Sequence, residues 1–351
     1  MSQISLQNIS KRFGEITALK EVSLDIQDSE FFVLLGPTGA GKTTTLRLIA
    51  GLEKQDAGQI TFDGQGVDNL APADRDVAFV FQQYSLYPTM TVYDNLAFPL
   101  RSPMRKTQEP EIKKMVASTA ETLRITHLLE RKTARLSGGE MQRVSLGRAL
   151  VRSPRLYLMD EPLSNLDAKL RESLRVELKH LQKTQGSTTL FVTHDQIEAL
   201  TMGDRIAVLN RGRVSQIGTP EDIYDRPATT FVAQLVGTPR INLLDSVREG
   251  SELRVSRSTI HLPLPEGNGL PASFLLGVRP EDVEIRGDGA FPGEIGLIEP
   301  LGVETILHIK TGEKNVVSLV PGMSNLGLGD QVRFDVVRSR LHYFGTDGTR
   351  I

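Results

Sequence analysis

The sequence contains no cysteine, which excludes disulfides and thiolate-bound metal and fits a cytoplasmic home. No apolar run approaches the roughly 20 residues a membrane-spanning helix needs. The longest are short, such as Phe31-Phe32-Val33-Leu34-Leu35, so a role at a membrane would require other proteins to hold the chain there. Charge of one sign is also missing: 41 Lys and Arg face 43 Asp and Glu, a net charge of -2, whereas nucleic-acid binders usually carry a clear basic excess. Met1-Ser2-Gln3-Ile4-Ser5-Leu6 has no basic region leading into an apolar stretch, so no signal peptide is expected. No solenoid repeat, low-complexity tract or heptad array is visible.

What is present is ordinary for a globular protein: 39% hydrophobic and 24% charged residues, without a disorder signature. At 351 residues the chain exceeds the size at which single cores stop growing, so two or more domains are expected. Ile4, Leu6 and Ile9, then Val22, Leu24 and Ile26, read as strands with one buried face. Phe31 to Leu35 reads as a strand buried on both faces. A glycine-rich loop follows, then a helix from about Lys42 to Ala50 with Gly51 in the C-cap position. Val77 to Phe81 reads as another buried strand. From about residue 84 to 153 helical spacing dominates and strands disappear, with a polar surface loop from Ser102-Pro103 to Glu109-Pro110. Strands return at Leu156 to Met159 and Thr188 to Val192. Between them Leu170, Leu174, Leu178 and Leu181 line one helix face. This is a βαβ unit and hence a parallel sheet covered by helices. Ile206 to Leu209 adds a strand before the turn Asn210-Arg211-Gly212. Beyond about Arg240, short alternating strands such as Val332, Phe334 and Val336, with frequent Gly and Pro, read as a small all-β barrel or sandwich.

The segment Gly36-Pro37-Thr38-Gly39-Ala40-Gly41-Lys42-Thr43 matches the phosphate-binding loop G-x-x-x-x-G-K-[ST], in its required place between a buried strand and a helix. Glycines let the backbone curl so that several N–H groups point at phosphate oxygens, and the helix N-terminus adds its positive dipole end. Lys42 places a point charge on the terminal phosphates, and Thr43 offers a hydroxyl to Mg²⁺; Thr44 completes the nucleotide-binding set.

Asp160-Glu161 ends the apolar strand Leu156-Tyr157-Leu158-Met159, and ligands of parallel α/β sheets sit beyond the carboxyl ends of strands. Successive residues there point in different directions, so two acids can do two jobs. Asp160 is placed to hold Mg²⁺, mostly through water, and Glu161 to polarise the attacking water as a general base. His194 ends another strand of the same sheet and could reach the terminal phosphate. Gln82 follows the strand Val77 to Phe81, and its amide could touch the metal or the water.

Leu136-Ser137-Gly138-Gly139-Glu140-Met141-Gln142-Arg143 resembles the LSGGQ signature of ABC ATPases. The motifs occur in that family's order: phosphate loop, Gln82, signature, Asp160-Glu161, the D-loop Ser164-Asn165-Leu166-Asp167, then His194. Phe13 sits where the family carries an aromatic that stacks on adenine. Thr193 to Leu200, Gly218 to Tyr224 and Gly277-Val278-Arg279-Pro280-Glu281 look like the carbohydrate-importer branch, whose members serve maltose, glycerol-phosphate and other sugar or polyol importers. The resemblance implies an α/β P-loop NTPase domain over residues 1–236, with a RecA-like core and a helical subdomain over about 84–153. An OB-like regulatory β-domain of the TOBE/MOP type would follow over 237–351. It implies ATP and Mg²⁺ as ligands and a head-to-tail homodimer. Each ATP would lie between one copy's phosphate loop and the other's Ser137, Gly138, Gly139 and Glu140. It further implies two integral-membrane permease subunits docked near Gln82 to Pro88, and a periplasmic or extracellular solute-binding protein. The ATPase would then lie peripherally on the cytoplasmic face of the bacterial inner membrane.

One residue departs from the pattern: the signature's usual Gln is Glu140. Ser137-x-x-Glu140 at a helix start is a capping box, in which Glu serves as well as Gln, and a carboxylate is favourable near a helix N-terminus. The site is expected to remain functional, with ATP binding at most modestly weakened by the added charge. The alternative is a soluble ABC ATPase acting on ribosomes or DNA. Such proteins typically join two ATPase units or carry a long coiled coil, and this chain has one phosphate loop and no basic excess. A kinase or GTPase is disfavoured by the signature and by the missing N-K-x-D guanine-reading motif.

Overall fold

The computed structural model describes residues 2–102, 107–152, 154–265 and 269–351. The chain divides into two compact units, Met1–Pro220 and Glu221–Ile351; the sequence reading sets its boundary after residue 236.

In the first unit, β1 (Ile4–Phe13) and β2 (Ile16–Ile26) form a hairpin, and β3 (Phe31–Leu35) follows. The strands β4 (Ala57–Phe62) and β5 (Gln65–Gly66) join the hairpin in an antiparallel sheet of order β2-β1-β4-β5. Alternating Ile4 and Leu6 of β1 and Val22, Leu24 and Ile26 of β2 point into the core, as period-2 patterning requires. The sequence reading found these strands without separating them from the central sheet.

That central sheet adds β6 (Val77–Val80), β7 (Leu156–Asp160), β8 (Thr189–Thr193), β9 (Arg205–Asn210) and β10 (Arg213–Gly218), in the order β10-β9-β3-β8-β7-β6. All neighbours from β9 to β6 run parallel, and β10 returns antiparallel through the Arg211-Gly212 turn. Every residue of β3, β7 and β8 is buried, which is why these strands read as continuous apolar runs with no alternation. By contrast β6 is the edge strand. It stops at Val80, and only Ala78 and Val80 are buried, which corrects the expectation of a fully buried strand to Phe81. An edge strand is covered less completely, so Val77 and Phe79 only pack against the margin of the core.

Among the described residues six α-helices complete the unit: α1 (Lys42–Ile49), α2 (Val92–Ala97), α3 (Glu109–Thr122), α4 (Gly138–Leu150), α5 (Ala168–Gln185) and α6 (Gln196–Met202). The insertion between β6 and β7 holds α2, α3 and α4 and no strand among its described residues. Part of the polar loop expected from Ser102 to Pro110 lies outside the described residues. Glu109 and Pro110 open α3 instead of belonging to that loop, because proline is tolerated in a first helical turn whose N–H groups are unpaired anyway. In α5, Asp167 caps the start through Leu170 N–H (3.0 Å), Gly186 ends the helix at φ 61°, and Leu174, Leu178 and Gln182 form the buried stripe. Buried Gln182 donates to the carbonyls of Ser29 (2.7 Å) and Ser187 (2.9 Å), tying the helix end to the start of β3 and β8. No helix among the described residues is long and apolar enough to cross a membrane.

The second unit begins with the end of α7 (Pro220–Asp225) and α8 (Thr230–Leu235). Among the described residues ten strands follow: β11 (Asn242–Glu249), β12 (Glu252–Val255), β13 (His261–Pro263), β14 (Ser273–Val278), β15 (Val283–Ile285), β16 (Phe291–Pro300), β17 (Glu304–Thr311), β18 (Lys314–Pro321), β19 (Gln331–Val336) and β20 (His342–Phe344). They make two antiparallel sheets, β13-β12-β11-β14-β20 and β15-β19-β16-β17-β18, enclosing Leu253, Phe274, Leu276, Phe291, Leu307 and Phe334. Asn242 stitches one sheet to the other. Its amide donates to the carbonyls of Val278 (3.1 Å) and Val317 (2.9 Å) and accepts from the Val317 N–H (2.7 Å). Arg279 is 1% exposed and donates to the carbonyls of Ala233, Val236 and Tyr224. It thereby pins the helical entry onto the β-domain, and burial without a paired carboxylate holds its guanidinium below its ordinary pKa.

Candidate active site

The loop between β3 and α1 turns twice through backbone conformations that favour glycine, at Gly39 (φ 78°) and Gly41 (φ 105°). At Gly41 a Cβ would also come within 2.6 Å of the Ala18 carbonyl oxygen and of Leu19 Cδ2, so no side chain fits there. The curl leads directly into α1, whose first residue, Lys42, is 5% exposed. Its ammonium donates to the carbonyls of Gly36 (2.9 Å) and Pro37 (3.0 Å) and lies 3.6 Å from Glu161 Oε1. Burial lowers the Lys42 pKa, against the opposing pull of Glu161 and Asp160.

At the end of β7 the two acids diverge as their sequence position suggests. Asp160 is 4% exposed and accepts from the Thr43 hydroxyl (3.1 Å). Burial raises its pKa, and the Thr43 hydrogen bond opposes the rise. Glu161 adopts φ 46°, a left-handed conformation that costs a non-glycine residue on the order of 1 kcal/mol. Two contacts hold it there: its N–H donates to the Val192 carbonyl (3.0 Å), and its carbonyl accepts from the Ser164 hydroxyl (3.0 Å). The strained turn aims the carboxylate at three partners. Besides Lys42 these are His194 Nδ1, 3.0 Å from Oε2, and Gln82 Nε2, which donates to Oε2 over 3.3 Å. Lys42, Gln82, Glu161 and His194 come from four separate stretches of chain and meet at one carboxylate. Thr43 and Asp160 form the adjacent pair.

That pair suits a hard cation. A hydroxyl and a carboxylate oxygen stand side by side, 3.1 Å apart. Both are hard oxygen donors of the kind that Mg²⁺ takes.

The remaining predicted residues lie elsewhere. Pro37, Thr38 and Gly39 are exposed at the loop tip, Ala40 packs into the core, and Thr44 is half-buried on α1. Phe13 ends β1 at 44% exposure with Lys11 Nζ 4.9 Å from its ring centre, an exposed aromatic face with no core to fill. Ser137 to Glu140 start α4 in the helical insertion. Both halves of the expected capping box form: Glu140 Oε2 accepts from the Ser137 N–H and hydroxyl (2.8 Å each), and the Glu140 N–H donates to Ser137 Oγ (3.4 Å). These bonds, the Ser137 backbone foremost, hold the Glu140 carboxyl below its ordinary pKa. The extra charge of the signature is therefore already engaged by its own helix start.

Sequence reasoning missed three supporting residues. Gln142, 1% exposed, donates to the Pro162 carbonyl and ties the signature helix to the residue after Glu161. Glu198, 3% exposed, accepts from the Thr193 hydroxyl (2.6 Å), which in turn accepts from the Asp195 N–H (2.9 Å), fixing the backbone on both sides of His194. Arg171 donates to the Leu166 carbonyl (3.0 Å) and lies 3.7 Å from Asp195. Their only sequence signal is proximity to a motif. Beside this site, Gln83, Tyr84, Leu86, Pro88, Ala134 and Met141 line a groove of roughly 350 Å³.

The chain has relatives among known proteins. The ABC transporter family matches residues 19–164, and the TOBE domain matches residues 276–344. The chain is 46% identical to the trehalose/maltose import ATP-binding protein MalK of Thermococcus litoralis, covering 98% of each. It is 45% identical to the sn-glycerol-3-phosphate import ATP-binding protein UgpC of Brucella abortus, over 100% of this chain and 99% of that one. It is 42% identical to the alpha-glucoside transport ATP-binding protein AglK of Rhizobium meliloti, over 99% of each. Among solved structures, a dimeric ATP-binding cassette in a post-hydrolysis state bound to ADP and Pi superposes with a TM-score of 0.57 at 33% identity, covering 62% of this chain and 98% of that one.

Proposed function

The chain belongs to the import ATP-binding proteins of ABC transporters, and from that premise we propose that it hydrolyses ATP to energise uptake of a sugar, polyol or glycerol conjugate through a separate permease. The observation that carries the reading is the convergence of Lys42, Gln82 and His194 on Glu161, next to the Thr43–Asp160 pair.

In this reading the phosphates of ATP rest on the loop N–H groups from Gly36 to Thr44 and on the start of α1. The Lys42 ammonium exchanges its carbonyl partners for phosphate oxygens. Thr43 and Asp160 would hold Mg²⁺, with Gln82 beside them, and the ion would supply neutralisation of phosphate charge. A water attacks the γ-phosphorus while the bond to the ADP oxygen breaks, and Glu161 takes the water's proton. His194 then steadies the terminal phosphate, and Phe13 offers its exposed face to the adenine.

The signature residues Ser137, Gly138, Gly139 and Glu140 serve the second copy's ATP, so the working unit is a homodimer. Residues 1–236 carry the ATPase, with the helical subdomain at about 84–153, and residues 237–351 carry the regulatory β-domain. The groove beside Gln82 to Pro88 takes a short helix from the permease, and two integral-membrane permease subunits hold the ATPase pair on the cytoplasmic face of the inner membrane. A periplasmic or extracellular binding protein delivers the solute.

Purification under gentle detergent tests the transport role. The expected result is retention of two integral-membrane permease subunits. Recovery with ribosomes or DNA instead, and with no membrane subunit, would contradict it.

A further inference from the structure

The second unit contains a cavity that the ATPase chemistry does not use. It has a volume of roughly 370 Å³ and is lined by Asp225, Ser339, Arg340, Leu341, His342 and Arg350. One lining residue carries a buried unpaired atom. His342 is 5% exposed, yet its Nδ1 has no hydrogen-bond partner. Asp282 Oδ2 and Arg279 Nε, from residues outside the lining, are also buried without one; Asp282 pairs with the lining Arg340 and Arg279 acts on His342, so three of the eight such atoms among the described residues belong to this cluster. Native proteins pair nearly all buried polar atoms, so a local cluster of unpaired ones calls for an explanation.

Arginines and carboxylates are mixed here: the lining carries Arg340 and Arg350 against Asp225, and Arg279 and Arg226 beyond it stand beside Asp282, Glu281 and Asp222. Burial, and after it the guanidinium groups of Arg279, Arg350 and Arg340, push the His342 pKa down to about 4. At neutral pH the ring is therefore uncharged and has one N–H to donate. Arg226 adds a fourth cation acting on Arg350. The opposing carboxylates are Asp225 and Asp282, the latter pushed up to about 6 by burial, while Glu281 accepts from the Tyr224 hydroxyl. Arg340 is shared between Asp282 (3.1 Å) and Asp225 (3.8 Å). Arg350 has one long side-chain bond, 3.5 Å to the Asp225 carbonyl, which leaves most of its planar donor fork unused.

We infer that this cavity binds a phosphate group, free or carried on a small ester, between Arg350, Arg340, Ser339 and His342. All four are donors, two guanidinium forks suit tetrahedral oxyanions, and the Asp225 carboxylate places the anion on the Arg350 side. The volume exceeds that of phosphate alone and leaves room for a short organic group.

The test uses the full chain with its phosphate loop saturated by ADP, titrated calorimetrically with inorganic phosphate and with methyl phosphate at matched ionic strength. Saturable binding of one anion per chain is expected, weakened about tenfold or more in Arg350→Gln and less in Ser339→Ala. Tighter methyl phosphate would identify an ester as the ligand, and tighter inorganic phosphate the free ion. Both variants alter side chains away from the β-sandwich core, and their unliganded melting temperatures should equal the parent's. Absence of saturable binding, equal affinity in Arg350→Gln, or the same signal from chloride would overturn the inference.

Discussion

Glu161→Gln is expected to lower ATP turnover by roughly 10²–10⁴-fold while ATP still binds. The substitution preserves the shape of the side chain, and its amide oxygen can still accept from Gln82 or His194, which now meet Oε2 at 3.3 and 3.0 Å. What it removes is the capacity to take a proton from water. It also removes the negative charge 3.6 Å from Lys42, so the phosphates of ATP meet less repulsion at the site. Bound nucleotide should therefore accumulate unhydrolysed and hold two copies together, visible by light scattering as an ATP-dependent dimer. The rival assignment makes His194 the base. It predicts near-normal turnover in Glu161→Gln and collapse in His194→Ala; that pair of results would remove Glu161 from the role.

Lys42→Ala should weaken ATP binding by roughly tenfold to a hundredfold, since charge-assisted hydrogen bonds contribute about 1.5–3 kcal/mol. The ammonium is nearly enclosed, 5% exposed, and holds only two carbonyls of its own loop besides Glu161. Its pKa is depressed chiefly by burial, so an arriving phosphate dianion meets a poorly solvated cation and gains more than it would at an exposed lysine. The central sheet contributes none of these bonds, and the far-ultraviolet circular dichroism should match the parent. Undiminished nucleotide binding, measured by calorimetry, would count against the phosphate-loop assignment.

The elements that were legible in the sequence are those whose burial is one-sided or complete over their whole length. Phe31 to Leu35 and Leu156 to Met159 are continuous apolar runs because both faces are covered. Val332, Phe334 and Val336 alternate because one face is. The edge strand at Val77 misled for the converse reason: its composition is apolar throughout, but only neighbours in space decide which face is covered. Glu109-Pro110 misled because proline marks a loop and a first helical turn alike. In the site, local motifs carried the reading. The capping box at Ser137 and Glu140 spans four residues and could be predicted complete. The bond from Thr43 to Asp160 joins residues 117 apart, and only motif order brought them together beforehand. Gln142, Arg171 and Glu198 act by holding other residues' backbones in place, a role set by tertiary packing with no spacing of its own.

The signature residues hold each other and the start of their own helix, while the phosphate loop, Gln82, Glu161 and His194 form a separate connected set. The central claim is that neither set suffices and that a second copy brings the missing wall. ATP hydrolysis per chain, followed by phosphate release over a dilution series with light scattering in parallel, tests this most directly. The account predicts a rate per chain that rises with concentration and levels off as dimers form, with the dilute monomer nearly idle. A monomeric chain hydrolysing ATP at the plateau rate would contradict it.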